Sequence, residues 1–152
     1  MTDGAERSRP RDFARQRTLP VGVLAVLIVV TMFVPWSKTG ASVRSGYALA
    51  HAAEAAGLVS GAPAHALLDA VFALPMAVGL ACAALVLGRV RLAAFLVALC
   101  GIVAVVASVV VLRELHASAE IGPWLGLVTG GLATTLSIAV TLRKRDLLVR
   151  NF

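Results

Sequence analysis

The chain has 152 residues, of which 59% are hydrophobic and 14% are charged, and its net charge is +6. Soluble domains are usually about 45–50% apolar and about 25% charged, so this composition excludes an ordinary soluble domain and predicts a membrane protein. The positive charge is concentrated at the ends of apolar segments, which indicates orientation in a membrane and not a nucleic-acid partner.

Four apolar stretches are long enough to cross a bilayer. A hydrocarbon core of about 30 Å needs roughly 20 apolar residues in a helix, and backbone amides in lipid must be satisfied within that helix. The predicted transmembrane helices are residues 19–36, 70–87, 92–112 and 121–142. Between them lie a basic tail (1–18), a long loop (37–69), a tight turn (88–91), a second loop (113–120) and a basic C-terminal tail (143–152). The predicted fold is therefore an all-α membrane protein with four transmembrane helices.

The distribution of Lys and Arg predicts the orientation. Eleven of these residues fall on the side of the two tails and the 88–91 turn, and three fall on the other side. The positive-inside rule then places both termini in the cytoplasm of a plasma-membrane protein, and Trp36 and Trp124 at the outer boundary of the bilayer. Basic residues beside the spans are predicted to contact anionic lipid head groups; they are Arg15, Arg17, Arg143, Lys144 and Arg145.

The long first loop contains a predicted short helix over residues 46–56. Ser45 is a favourable N-cap, and Gly57 is a favourable residue just beyond the end. Leu49, Ala53 and Ala56 share one side of this helix, which suits a helix that lies on the outer membrane surface or caps the bundle. Pro63 is predicted to break the chain before the second span.

The same loop carries a resemblance to a family. Pro35 and Trp36 end the first apolar segment, the run Arg44–Tyr47 reads Arg-Ser-Gly-Tyr, and three apolar segments follow. This pattern resembles small actinobacterial (mycobacterial-type) integral membrane proteins with four helices, and it covers most of the chain. The resemblance implies a plasma-membrane location and no catalytic residues, and it implies no particular function.

Small residues recur at helical spacing in the later spans, where they allow close helix packing. The predicted packing positions are Gly79, Ala83, Gly101, Gly122, Gly126, Gly130 and Thr134. The stripe in the fourth span is either an interface with another subunit or a contact within the bundle. The second interpretation is favoured, because every span has small residues.

Little in the sequence points to catalysis. The predicted spans have no ionisable side chains other than cysteines, which disfavours an ion-coupled transporter. Nucleophile, metalloprotease and phosphate-loop motifs are missing, so neither an enzyme nor a cofactor site is predicted. His51, His65 and His116 lie on the predicted outer side with several carboxylates, but their scattered spacing favours a solvated surface over a metal site.

The sequence therefore predicts a non-enzymatic accessory or scaffold subunit of a larger transport, cell-envelope or respiratory complex. Trp36, Arg44 and Tyr47 are the predicted docking residues, since aromatic and Arg side chains are frequent in binding hot spots. Predicted partners are membrane lipids and either other integral membrane proteins or further copies of the chain. The alternative is a small oligomeric transporter or a lipid-handling protein, and an envelope sensor is a third interpretation.

Overall fold

A computed structural model describes residues 10–57, 60–115 and 118–149, with side chains described within 19–142. These described residues form five helices and one hairpin, which confirms a mostly helical fold. In order, the elements are α1 (Pro10–Thr31), β1 (Pro35–Thr39), β2 (Ser42–Ser45), α2 (Gly46–Ala55), α3 (Ala62–Val86), α4 (Val90–Glu114) and α5 (Ile121–Val149).

Within the described residues, three helices are long and apolar enough to cross a membrane, as expected of a multi-pass membrane protein. They are α3, α4 and the Ile121–Leu142 part of α5. The first predicted span, 19–36, is shorter than expected, because its described apolar helix covers only Leu19–Thr31. The chain turns after Thr31 and continues as β1, so the last residues of that predicted span are not helical.

The helices also extend beyond the predicted spans at their ends. Pro63 was predicted to break the chain, but it lies in the first turn of α3, which begins at Ala62. Proline is well tolerated there, because the first turn of a helix does not use its N–H groups for internal hydrogen bonds. At the other end of the chain, α5 continues past residue 142 to Val149.

The long helices α1, α3, α4 and α5 pack together around a core of small and branched side chains, and we call these packed helices the bundle. α4 packs against α3 and α5, and α1 packs against α3, α4 and α5. Several core positions are fully buried alanines, including Ala25, Ala81, Ala93, Ala104 and Ala133. Small side chains let helix backbones approach closely, which is the main source of helix association in lipid.

The segment between α1 and α3 is folded, and we call residues 35–56 the cap. β1 and β2 pair antiparallel around a turn in which Gly40 has a φ of 61°. Sequence analysis did not predict this hairpin. It did predict α2: the Ser45 hydroxyl accepts a hydrogen bond from the Ala48 N–H at 3.3 Å, and Gly57 follows the helix with a φ of 62°. The α2 helix ends at Ala55, one residue before the predicted end.

The free edge of β1 contacts the segment that precedes α5. The Lys38 N–H donates to the Ser118 carbonyl at 3.0 Å, and the Glu120 N–H donates to the Trp36 carbonyl at 3.1 Å. Ser37 also forms an antiparallel bridge with Ala119. β1 therefore joins the cap to the start of the last helix.

Candidate functional site

Trp36 anchors the cap in the bundle. It lies at an irregularity in the β1–β2 register, between Pro35 and Ser37, and only 2% of its surface is exposed. Its indole Nε1–H donates to the Thr31 carbonyl at 2.7 Å. The Gly46 N–H donates to the Met32 carbonyl at 2.9 Å. These two bonds satisfy carbonyls at the end of α1 that have no partner within that helix.

Two glycines make room for this indole, and a third lies beside it. A Cβ atom at Gly46 would lie 3.0 Å from the Trp36 ring, and one at Gly122 would overlap both the ring and the Pro35 carbonyl. A Cβ atom at Gly126 would lie 3.4 Å from the ring. The predicted roles of Trp36 as an interfacial ring and a docking residue therefore need correction. Its side chain is enclosed by its own chain and offers no exposed docking surface.

The glycine stripe of α5 packs within the bundle, as the favoured interpretation expected. A Cβ atom at Gly130 would lie 2.7 Å from the Gly101 carbonyl oxygen, and one at Gly101 would lie 2.5 Å from Thr134 Oγ1. A Cβ atom at Gly126 would lie 2.5 Å from Ser108 Oγ. The α4 and α5 backbones are thus in direct contact along this stripe.

Two predicted packing positions lie elsewhere. Gly79 and Ala83 are both exposed on α3, and a Cβ atom at Gly79 would meet no atom within 4 Å. They therefore make no close contact within the bundle, and their role in helix packing stays a prediction. The small-residue spacing of α3 places them on a face that the rest of the described chain does not cover.

The hydroxyl groups of α5 mostly bond to their own helix. Thr129 Oγ1 donates to the Leu125 carbonyl at 2.7 Å, Thr134 Oγ1 donates to the Gly130 carbonyl at 2.8 Å, and Thr135 follows the same pattern. Such local bonds leave these groups little capacity to line a polar pathway.

Tyr47 is half-buried and packs among aromatic rings. Its ring centroid lies 5.2 Å from that of Phe33 and 6.5 Å from that of Phe72. The hydroxyl is buried and has no hydrogen-bond partner among the described residues. Burial raises the pKa of Tyr47. The ring therefore holds α2 against α3 and against the turn that follows α1, and its role as a docking residue stays a prediction.

Between the cap and the bundle lies a cleft of about 760 Å³. Ligand sites usually have volumes of roughly 300–1,000 Å³ and mainly apolar linings with a few polar groups. Here α2, the first turns of α3 and the last turns of α4 line the cleft. Met32 and Trp36 also belong to the lining. We take this cleft as the candidate functional site.

The lining face of α2 follows helical spacing. Leu49, Ala52, Ala53 and Ala56 line the cleft, which corresponds to offsets of three, four and seven residues. Three of these residues belong to the side predicted from the sequence to face the membrane or the bundle. Because the alanines are small, α2 can cover the bundle and still leave a cavity beneath it.

A second part of the lining is formed by Val110, Val111 and Leu115 at the end of α4. Among the described lining residues, Arg44 on β2 and Glu114 at the end of α4 carry charge. The cleft therefore combines an apolar interior with one basic and one acidic group.

Other predicted site residues lie apart from this cleft or outside the described structure. His51 and His65 are exposed, and the described residues contain no cluster of three or more groups that could hold a metal ion. His116 lies outside the described residues. The side chains of the predicted lipid-contacting residues also lie outside the described part; these residues are Arg15, Arg17, Arg143, Lys144 and Arg145.

Comparisons of the chain with protein-family models, with curated proteins and with solved structures found no match.

Proposed function

We propose that this chain is a lipid-handling membrane protein, which holds an acyl chain in the cleft between the cap and the bundle. The observation that carries this proposal is the cleft itself, with a volume of about 760 Å³ and a mainly apolar lining at one end of the long apolar helices. Binding of this kind requires no catalytic group. It corresponds to the alternative function predicted from the sequence, and the burial of Trp36 removes part of the support for the accessory-subunit prediction.

The proposed topology has four spans, with both termini in the cytoplasm of the plasma membrane. The apolar part of α1 is shorter than the other spans. Leu19–Thr31 covers about 20 Å at 1.5 Å per residue, whereas the hydrocarbon core is about 30 Å thick. The exposed side chains described in α1 are apolar, including Val23, Val26 and Val30, as expected of a surface that faces lipid. The cap then lies on the outer side, and the resemblance to small actinobacterial membrane proteins agrees with this location.

Thiol labelling tests the topology. Ser60 is exposed just before α3, so a single cysteine there, in a chain without Cys82 and Cys100, should react with an impermeant reagent in intact cells. A cysteine at Asn151, which lies outside the described residues, should react only after the cells are opened. The reverse pattern would overturn the orientation. Labelling of both sites in intact cells would mean that α3, α4 and α5 do not all cross the membrane.

Blocking the cleft tests the lipid function. Ala53→Phe places a large ring on the lining face of α2, whereas Ala55→Phe places the same ring on an exposed position that does not line the cleft. The wild-type chain and Ala55→Phe, purified in mild detergent, should retain a lipid that native mass spectrometry detects. Ala53→Phe should retain several-fold less. Equal retention by all three chains would refute lipid binding in the cleft.

A second candidate function is the predicted accessory subunit of a larger membrane complex. The exposed hairpin favours it, since Val43 is 55% exposed and lies beside Arg44 on β2. Val43→Asp should then reduce recovery of an integral membrane partner after gentle solubilisation, while Ala55→Phe should not. Recovery of the same partner with both variants would exclude the hairpin as its docking site.

A further inference from the structure

The two charged groups of the cleft come from different elements. Arg44 and Glu114 are both exposed, and neither forms an ion pair with any other described residue. A cleft for a purely apolar ligand has no need of either charge. A cleft for an anionic amphiphile would be weakened by the carboxylate.

A ligand with one negative and one positive group complements this pair. We propose that the cleft selects a phospholipid with a primary amine in its head group, whose phosphate contacts Arg44 and whose ammonium contacts Glu114. This inference rests on the proposed binding of an acyl chain in the cleft. The guanidinium group presents paired donors that match phosphate oxygens, and a primary ammonium donates three hydrogen bonds that a carboxylate can accept.

Selection between lipids depends on the head group, because the acyl chain does not distinguish one lipid from another. A chain that enters the cleft from a bilayer leaves surroundings as apolar as the cleft lining, so the exchange has little hydrophobic drive. Lipids with equal chains are therefore distinguished by what lies beside Arg44 and Glu114. A choline head group has the same phosphate and the same charge, but its quaternary ammonium has no N–H to donate to Glu114.

Competition between lipids with identical acyl chains tests the inference. The full chain, purified in mild detergent, is incubated with equal amounts of phosphatidylethanolamine, phosphatidylcholine and phosphatidylglycerol, and the retained lipids are counted by native mass spectrometry. The ethanolamine lipid should be retained about tenfold over the choline lipid, a ratio that corresponds to about 1.4 kcal/mol. Arg44→Gln should lower retention of all three lipids.

Glu114→Gln should lower retention of the ethanolamine lipid to that of the choline lipid without lowering retention of the choline lipid. Glu114→Asp should keep part of the preference, which separates a loss of charge from a loss of structure. Glu54→Gln and Arg113→Gln are the matched controls, since both residues are exposed and neither lines the cleft. These controls should retain the wild-type pattern.

The outcomes separate the two proposals. Equal retention of the ethanolamine and choline lipids, with Ala53→Phe still blocking both, would overturn head-group selection and leave lipid binding in place. Preferential retention of phosphatidylglycerol would also overturn it, because Glu114 would then have no attractive role. Lipid retention that Ala53→Phe does not change would overturn the proposed function itself.

Discussion

Replacement of Gly130 by alanine tests the direct contact between α4 and α5. The added Cβ atom would lie 2.7 Å from the Gly101 carbonyl oxygen, 3.0 Å from Val105 Cγ2 and 3.2 Å from Ala104 Cβ. The first of these is a backbone atom, so no side-chain rotation relieves the overlap. Reaching an ordinary contact of 3.4 Å requires the two helices to separate locally by about 0.7 Å.

A gap of this size has a calculable effect on stability. A radial gap of about 0.5–1 Å removes roughly a quarter to a half of the dispersion energy of each affected contact. Overpacking of a close-packed interior typically costs about 1–3 kcal/mol, and we expect Gly130→Ala to fall in this range.

Gly131→Ala is the matched control, since a Cβ atom there meets nothing within 4 Å. Both variants gain the same intrinsic helix preference of alanine over glycine, about 1 kcal/mol at most, so their difference isolates the packing effect. Thermal unfolding in mild detergent, followed by circular dichroism, should show a lower midpoint for Gly130→Ala than for Gly131→Ala. Equal midpoints would refute direct backbone contact between α4 and α5 at this position.

Three further variants test the cap. Trp36→Phe replaces the indole by a smaller aromatic ring, removes the hydrogen bond to the Thr31 carbonyl and leaves a buried acceptor unpaired, so thermal unfolding should show a loss of at least about 1–3 kcal/mol; an unchanged midpoint would contradict the bond. Tyr47→Phe removes a buried hydroxyl without a partner among the described residues, so this variant should be at least as stable as the wild type at pH 7. Because burial raises the pKa of Tyr47, the unfolded chain ionises at a lower pH than the folded chain. The wild type should therefore lose stability relative to Tyr47→Phe as the pH rises above about 10 and through the folded-state pKa; parallel profiles of stability against pH for the two chains would contradict this. Ser45→Ala removes the N-cap of α2 and should weaken that helix by about 1 kcal/mol, visible as faster amide exchange in residues 46–55; unchanged exchange would contradict the cap.

The long helices could be predicted from the sequence because continuous apolarity alone determines them. α4 and α5 contain the third and fourth predicted spans, and α3 contains the second except for its last residue, Leu87. The helix ends differ from the predicted ends near the points where the apolar runs stop. Pro63 illustrates this limit, since the same residue either breaks a helix or begins one, and the choice depends on the hydrogen bonds around it.

The environment of Trp36 could not be predicted from local patterns. Its indole is enclosed by Gly46, which lies ten residues away, and by Gly122 and Gly126, which lie in the last helix. Sequence analysis identified all four residues but assigned the tryptophan to the membrane boundary and the α5 glycines to helix packing alone. Only the tertiary fold brings them together.

The cleft was partly visible in the sequence. The shared side of Leu49, Ala53 and Ala56 predicted a covering face on α2, and that face lines the cleft. The hairpin had one local signal, a glycine (Gly40) between two short polar runs. A single glycine in such a setting is too weak a pattern to predict a hairpin. The cavity itself depends on how far α2 stands from the end of α4, which no residue pattern expresses.

The two-sided pairing of β1 has a consequence for biosynthesis. One partner of this strand, β2, follows within a few residues, but the other, Ser118–Glu120, is synthesised only after α4. Gly122, which helps to enclose the Trp36 indole, comes later still. The cap is therefore completed only by the arrival of the last helix. A chain that stops before α5 leaves an indole and a strand edge uncovered, so the cap couples its own closure to the insertion of the whole protein.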